Sequence, residues 1–282
     1  MSDADAQRRE IAEYWERAAP GWGTSRATFQ AGAEPVSQWL VEAVDPQPGL
    51  RILELAAGPG DTGLLAAELL APHGTLILSD VSEGMLEIAR ARAKELGVSN
   101  VEFRQIDAEW IDLPTANVDG VLCRWGYMLM ADPVTALRET RRVLKPGGTL
   151  AFAVWAAPED NVWASVPNAE LVRMGTMEPP APGGPGMFAW SDPAVIADAL
   201  EEAGFVLAQI DQVDLTWRFP SLDDWWDAQL DLSVRLREAV TALTPAQRDE
   251  LRDAIDEKLA AFVSDEGGVA LPARTHVAAA SA

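Results

Sequence analysis

Residues 51–63 read RILELAAGPGDTG, and no other stretch constrains the fold as strongly. Ile52, Leu53 and Leu55 make an apolar run of strand length. The chain then breaks into a turn of small residues and resumes as an apolar helix from Leu64 to Leu70. A strand, a Gly-rich turn and a helix, in that order, bring backbone N–H groups up against a nucleotide-like ligand. Glycine permits an approach that a Cβ would block.

The alternation continues downstream. After the strand over 51–56 and the helix over 61–71, the pattern predicts a strand over 75–80 and a helix over 83–96. Ser82 caps that helix and Gly97 ends it. Strands follow over 101–106 and 118–124, then a helix over 133–144, a tight turn at Lys145-Pro146-Gly147-Gly148, and a strand over 149–155. Strands alternating with helices imply an α/β fold, a Rossmann-like doubly wound sheet that is mostly parallel and covered on both faces. Upstream, helical spacing of Ile11, Tyr14, Trp15 and Ala18 predicts a helix over 3–19, ended by Pro20-Gly21, and a second over 34–44. Downstream, residues 157–190 are Pro-, Gly- and Met-rich and read as a mobile loop beside the substrate or as a connection. A helix over 193–203, a strand over 205–218 and two or three helices over 221–263 precede a last strand over 269–280. Thr244-Pro245-Ala246-Gln247 spells a capping box with proline at the first helical position. The expected division is an N-terminal helical cap (1–45), a ligand-binding core (46–220), a helical insertion (221–263) and a return to the sheet (264–282).

Ligands in such sheets bind beyond the C-terminal strand ends, and those ends carry polar residues. Gly58-Pro59-Gly60-Asp61-Thr62-Gly63 is literally the G-x-G-x-x-G dinucleotide fingerprint. Glu54, four residues before the first glycine, argues for a cationic ligand over a pyrophosphate. Asp80 ends the second strand, at the spacing where an acid accepts ribose hydroxyls. Asp107-Ala108 ends the third, a polar pair suited to a purine edge. Arg124 and Trp125 leave the fourth.

These strand ends together resemble the motifs of class I S-adenosylmethionine (SAM) methyltransferases, over residues 48–155 strongly and elsewhere loosely, and most of all the group that methylates quinone precursors and other small metabolites. The resemblance implies SAM as cofactor, with S-adenosylhomocysteine as product. It implies that Glu54, Ala56, Gly58 and Gly60 meet the amino-acid end, Asp80 the ribose, Val81 and Met85 the adenine faces, and Asp107 and Ala108 the adenine edge. Arg124, a departure from the pattern, contacts the cofactor through its backbone. The last strand is antiparallel by the same resemblance.

Composition narrows the acceptor. Lys and Arg number 22 against 44 Asp and Glu, a formal charge of −22, which repels nucleic acid. No apolar run spans a bilayer, no signal-peptide pattern opens the chain, and one cysteine excludes an internal disulfide and a cysteine-held metal; a cytoplasmic location and no metal are expected. Eleven tryptophans against two tyrosines suggest an apolar, aromatic-walled pocket, with Trp22, Trp125, Tyr127 and Trp155 as lining residues. Tyr127 and His276 are the candidates for a general base. The reading is methyl transfer to an apolar small molecule at O, C or N. A SAM-binding cyclase or isomerase and a nicotinamide oxidoreductase stand as alternatives.

Overall fold

The computed structural model describes residues 3–181 and 183–282. Seven strands, β1 (Arg51–Glu54), β2 (Thr75–Asp80), β3 (Val101–Gln105), β4 (Val118–Arg124), β5 (Leu144–Trp155), β6 (Val206–Phe219) and β7 (Val269–Ser281), form one sheet in the order β3-β2-β1-β4-β5-β7-β6. β1 pairs in parallel with β2 and β4, which pair onward in parallel with β3 and β5. β7 runs antiparallel between β5 and β6, as expected. Its Ala278, Ala279 and Ala280 are buried between two strands, where small side chains let helices lie close on either face. β1 and β2 are buried almost throughout, as strands covered on both faces require. The order reverses between β1 and β4, so the switch point lies above the end of β1.

The helices are α1 (Asp3–Val44), α2 (Asp61–Leu69), α3 (Glu83–Leu96), α4 (Pro133–Val143), α5 (Val162–Arg173), α6 (Pro193–Glu202), α7 (Leu222–Leu232), α8 (Val234–Ala242) and α9 (Pro245–Leu259). The expected caps form. Ser82 accepts from Met85 N at 3.1 Å and Gly97 closes α3 in the left-handed conformation. Thr244 and Gln247 make a reciprocal capping box at α9. No helix among the described residues is long and apolar enough to cross a membrane.

Three expectations are corrected. The N-terminal segment is one helix, not two; Pro20 and Pro35 lie inside α1. An interior proline costs about 3 kcal/mol, and a buried Phe, Leu or Val contributes about 1.5–3 kcal/mol. Phe29, Val36, Leu40 and Val41, all buried on α1, outweigh that penalty. Gly21 does not end the helix: a Cβ there would overlap the Asp231 carbonyl, so its absence lets α7 approach. The second correction is α5, inside the stretch read as a loop or connection. Pro167 sits within it, and buried Trp163, Ala164 and Leu171 hold it down. Its Glu170 is ion-paired with Arg173 and with Lys258 of α9 at 2.6 Å each. Third, β5 begins at Leu144, so the expected turn residues 145–148 fall within it, with Gly147 at φ 79°. Three helices, α7 to α9, lie between β6 and β7.

Candidate active site

The turn after β1 is clamped from below. Ser79 Oγ donates to Glu54 O at 2.6 Å, and Ala57 N donates to Ser79 O at 2.9 Å. Ala56 and Gly58 take positive φ, 49° and 53°. Gly60, at φ 82°, precedes α2 and packs so closely on Leu78 that a Cβ would clash. At Gly58 the opposite holds: a Cβ would meet nothing within 4 Å, so its backbone faces open space.

Glu54 lies beneath this turn. Its side chain is 1% exposed, its Oε2 has no hydrogen-bond partner, and the missing Cβ of Gly63 makes room for it. Burial pushes its carboxyl up to about 8, against the opposing pull of the Arg124 guanidinium. Asp80, at the end of β2, accepts from Gly58 N at 2.8 Å and from Ser82 N at 2.9 Å. Burial raises it to about 6 in spite of those donors. Asp80 thus joins the turn to the α3 N-terminus, and each carboxylate oxygen keeps capacity for a second donor.

Val81 follows half-buried, and Met85 packs with Ala18 and Ala19 of α1 and Val234 of α8. At the end of β3, Asp107 accepts from Glu109 N at 2.9 Å, beside buried Ala108. Beyond β4, Trp125 takes φ 60°. It stacks on Trp155 at 4.1 Å and donates from Nε1 to Thr275 Oγ1 at 2.9 Å. Gly126 touches Ala56 and Cys123 so closely that a Cβ would overlap both. The β4 exit therefore supports the β1 turn directly. Trp22 donates to Leu232 O at 3.1 Å and meets Phe29 edge-on at 4.8 Å.

The structure therefore gathers Glu54, Ala56, Gly58, Gly60, Asp80, Val81, Asp107, Ala108, Arg124, Trp125 and Trp155 along the C-terminal strand ends, with Met85 beneath α1 and Trp22 on α1 itself. It does not bring Tyr127 or His276 there. Tyr127 is fully buried, bonds Thr140 at 2.7 Å and lies against Phe152 and Trp190. Burial holds its hydroxyl well above the ordinary range. His276 pairs across the sheet with Val154, on the Phe152 face and opposite to Trp155. Its Nε2 meets Ser191 O at 2.9 Å. Both expected bases belong to the packing of the other face.

The sequence reading missed what α1 contributes. Glu16 accepts from Ser82 Oγ at 2.7 Å and from Gly84 N at 3.1 Å. Arg26 pairs with Asp61 at 2.7 Å, and Ser37 meets Thr62 at 3.0 Å. Phe29 stacks on Trp217 at 4.8 Å and faces Trp125 edge-on at 5.5 Å. A cavity of about 10 Å³ beside Phe29, Trp163, Trp217 and Gln229 has room for about one water. The one available signal was the spacing of Phe29, Ala33, Val36 and Leu40 on a single helical face.

Residues 46–172 match the family model described as a methyltransferase domain. Among curated relatives, a ubiquinone/menaquinone biosynthesis C-methyltransferase UbiE from Shewanella oneidensis is 32% identical over 46% of this chain and 52% of its own. The protein of the same name from Ectopseudomonas mendocina is 31% identical over 57% of this chain and 64% of its own. The chain spans about half to two thirds of the length of these relatives. Solved structures share the fold at low identity. A protein from Bacillus halodurans matches with TM-score 0.60 and 22% identity over 87% of this chain and 97% of its own. The [4+2]-cyclase SpnF matches with TM-score 0.56 and 20% identity over 89% and 82%. Residues 46–172, which hold the turn after β1 and the acids that follow it, are thus similar to a methyltransferase domain, and the sheet around them has the fold of these solved structures.

Proposed function

We propose that the protein transfers a methyl group from SAM to an apolar small-molecule acceptor. The observation that carries this is Glu54, a buried acid with an unpartnered oxygen beneath a turn whose Gly58 is open above. Such a site suits a ligand with an ammonium group, and the amino-acid end of SAM supplies one; a pyrophosphate there would meet two acids, Glu54 and Asp80. SAM, when bound, supplies an electron-poor methyl on a sulfonium. The chain's own residues bind and orient. Glu54 holds the ammonium, the backbone from Ala56 to Gly60 cradles the amino-acid end, and Asp80 accepts from the ribose. Val81, Met85, Asp107 and Ala108 enclose the adenine. Trp22, Trp125 and Trp155 wall the acceptor side and exclude water. Holding donor and acceptor in line supplies most of the acceleration such a site needs. The names of the curated relatives favour carbon as the methylated atom, and the single buried cysteine suits a cytoplasmic setting.

Calorimetric titration with SAM, S-adenosylhomocysteine and NAD tests the reading. Saturable binding of the first two and none of NAD is expected. Binding of NAD alone would overturn it. Saturable binding of SAM without S-adenosylhomocysteine release during turnover would point to the fold's other use, seen in the [4+2]-cyclase neighbour.

A further inference from the structure

The exit of β4 carries a guanidinium that no carboxylate holds. Arg124 is half-buried, and its Nη1 donates to Gln30 Oε1 and Ser37 Oγ of α1 at 3.2 Å each. No ion pair joins it to an acid among the described residues, and Nε and Nη2 make no hydrogen bond there. The charged groups that face it are Asp61 of α2 and Glu54 of β1. Neither forms an ion pair with it, and Asp61 is already bonded to Arg26 at 2.7 Å. From α1 it meets only neutral groups. The Trp125 ring lies 4.9 Å from the guanidinium carbon and the Phe29 ring 6.0 Å. A partly desolvated guanidinium with no carboxylate bonded to it keeps donors free for a ligand anion. The position joins the two halves of the site, with Glu54 beside the cofactor turn and the Phe29–Trp125–Trp155 aromatics on the acceptor side.

We propose that Arg124 binds an oxyanion of the methyl acceptor, and that the acceptor is therefore a flat, apolar molecule with an acidic hydroxyl, a phenol or an enol. The inference rests on the methyl-transfer reading. It also accounts for a site whose expected bases, Tyr127 and His276, lie elsewhere: the cation makes the anionic acceptor stable without a base. The oxyanion, or the ring or enol carbon conjugated with it, forms the new bond to the methyl carbon with an electron pair it already carries. The carbon–sulfur bond pair stays on sulfur, and an acceptor methylated on oxygen moves no proton. Methylation at a ring carbon releases that carbon's proton afterwards to solvent.

The test uses the full chain saturated with S-adenosylhomocysteine and 4-nitrophenol as the probe, whose ionisation is read by absorbance from pH 5 to 9. The bound probe is expected to ionise at a pH about one unit or more below the free probe, a tenfold or greater preference for the anion. R124Q is expected to abolish that preference and R124K, which keeps the charge and fold, to retain part of it. Absence of saturable probe binding, unshifted ionisation, or a shift that survives in R124Q would overturn the assignment. A second arm separates the cofactor carboxylate as the anion. If R124Q weakens S-adenosylhomocysteine tenfold while 5′-methylthioadenosine, which lacks the carboxylate, binds unchanged, Arg124 serves the cofactor and the proposal fails. Loss of all S-adenosylhomocysteine binding by the wild-type protein would instead sink the methyl-transfer reading itself.

Discussion

Replacing Glu54 by glutamine should make the protein more stable while removing its ligand site, and the pH dependence of that gain is diagnostic. Burial raises the Glu54 carboxyl from 4.5 to about 8. Between those values the folded protein holds a proton that the unfolded chain has lost. The stability contribution is therefore complete below 4.5 and falls as pH rises through about 8. Weighting the two ionisation curves, the penalty grows by about 3 kcal/mol between pH 5.5 and pH 8.5. The amide of E54Q cannot ionise, so the gain of this variant over wild type should be larger by about 3 kcal/mol at pH 8.5 than at pH 5.5. Changes in packing and in the amide's own unmet hydrogen bonds are the same at both pH values and cancel in the difference. Asp80, raised to about 6, titrates in both proteins, and its charge is one of those that raise Glu54. Urea denaturation at the two pH values reads the effect; with a slope near 3 kcal/mol per molar, the midpoint gap should widen by about 1 M. Equal gaps at both values would show that Glu54 does not carry a buried, displaced proton, and the argument for a cation site beneath the turn would lose its basis.

The same geometry carries three further expected outcomes. SAM should bind more tightly as pH rises from 6 to 8, by up to about tenfold per unit, because placing an ammonium at Glu54 expels its proton; 5′-methylthioadenosine, titrated in parallel, should show no such trend. Gly58→Ala meets no protein atom but must hold φ 53°, so it should cost about 1 kcal/mol of stability yet strongly impair SAM binding, whereas Gly126→Ala collides with Cys123 and Ala56 and should lower the melting temperature first; the reverse pattern would refute the view of Gly58 as the open cradle. Thr244→Ala removes the α9 capping box and should destabilise by about 1 kcal/mol with SAM affinity unchanged, as calorimetry would check.

The chain's order of strands and helices was legible because its signals are local. Ser82 and Gly97 bracket α3, Thr244 opens α9, and the apolar runs of β1 and β2 announce a doubly covered sheet, each within one helical turn or one strand. The strand ends were legible for the same reason, since an acid that finishes a strand needs only the strand to be placed. Where local signals misled, a distant surface had overruled them. Pro20-Gly21 spells a helix end, yet Phe29 and Leu40 are buried and Gly21 is needed for α7. Pro167 hid α5, which Trp163 and Leu171 secure. Tyr127, two residues beyond Trp125, looked equally well placed for chemistry, but the chain turns between them. Trp125 meets Thr275 on one face, 150 residues away, and Tyr127 meets Thr140 on the other.

Local sequence sufficed for the α/β alternation, the Gly-rich turn with its acid, and the acids at the next two strand ends, because backbone propensity, capping and periodicity act over a few residues. The chemical state of those groups came only with the assembled fold. Glu54 is an ordinary acid in the unfolded chain and a displaced one in the fold, because Gly63 and the sheet shut it away from water. Arg124 is one arginine among many until Gln30, 94 residues away, and Ser37 hold it at the β4 exit with no carboxylate bonded to it. Burial and charge balance depend on what the whole chain brings to a point, and that is set by packing.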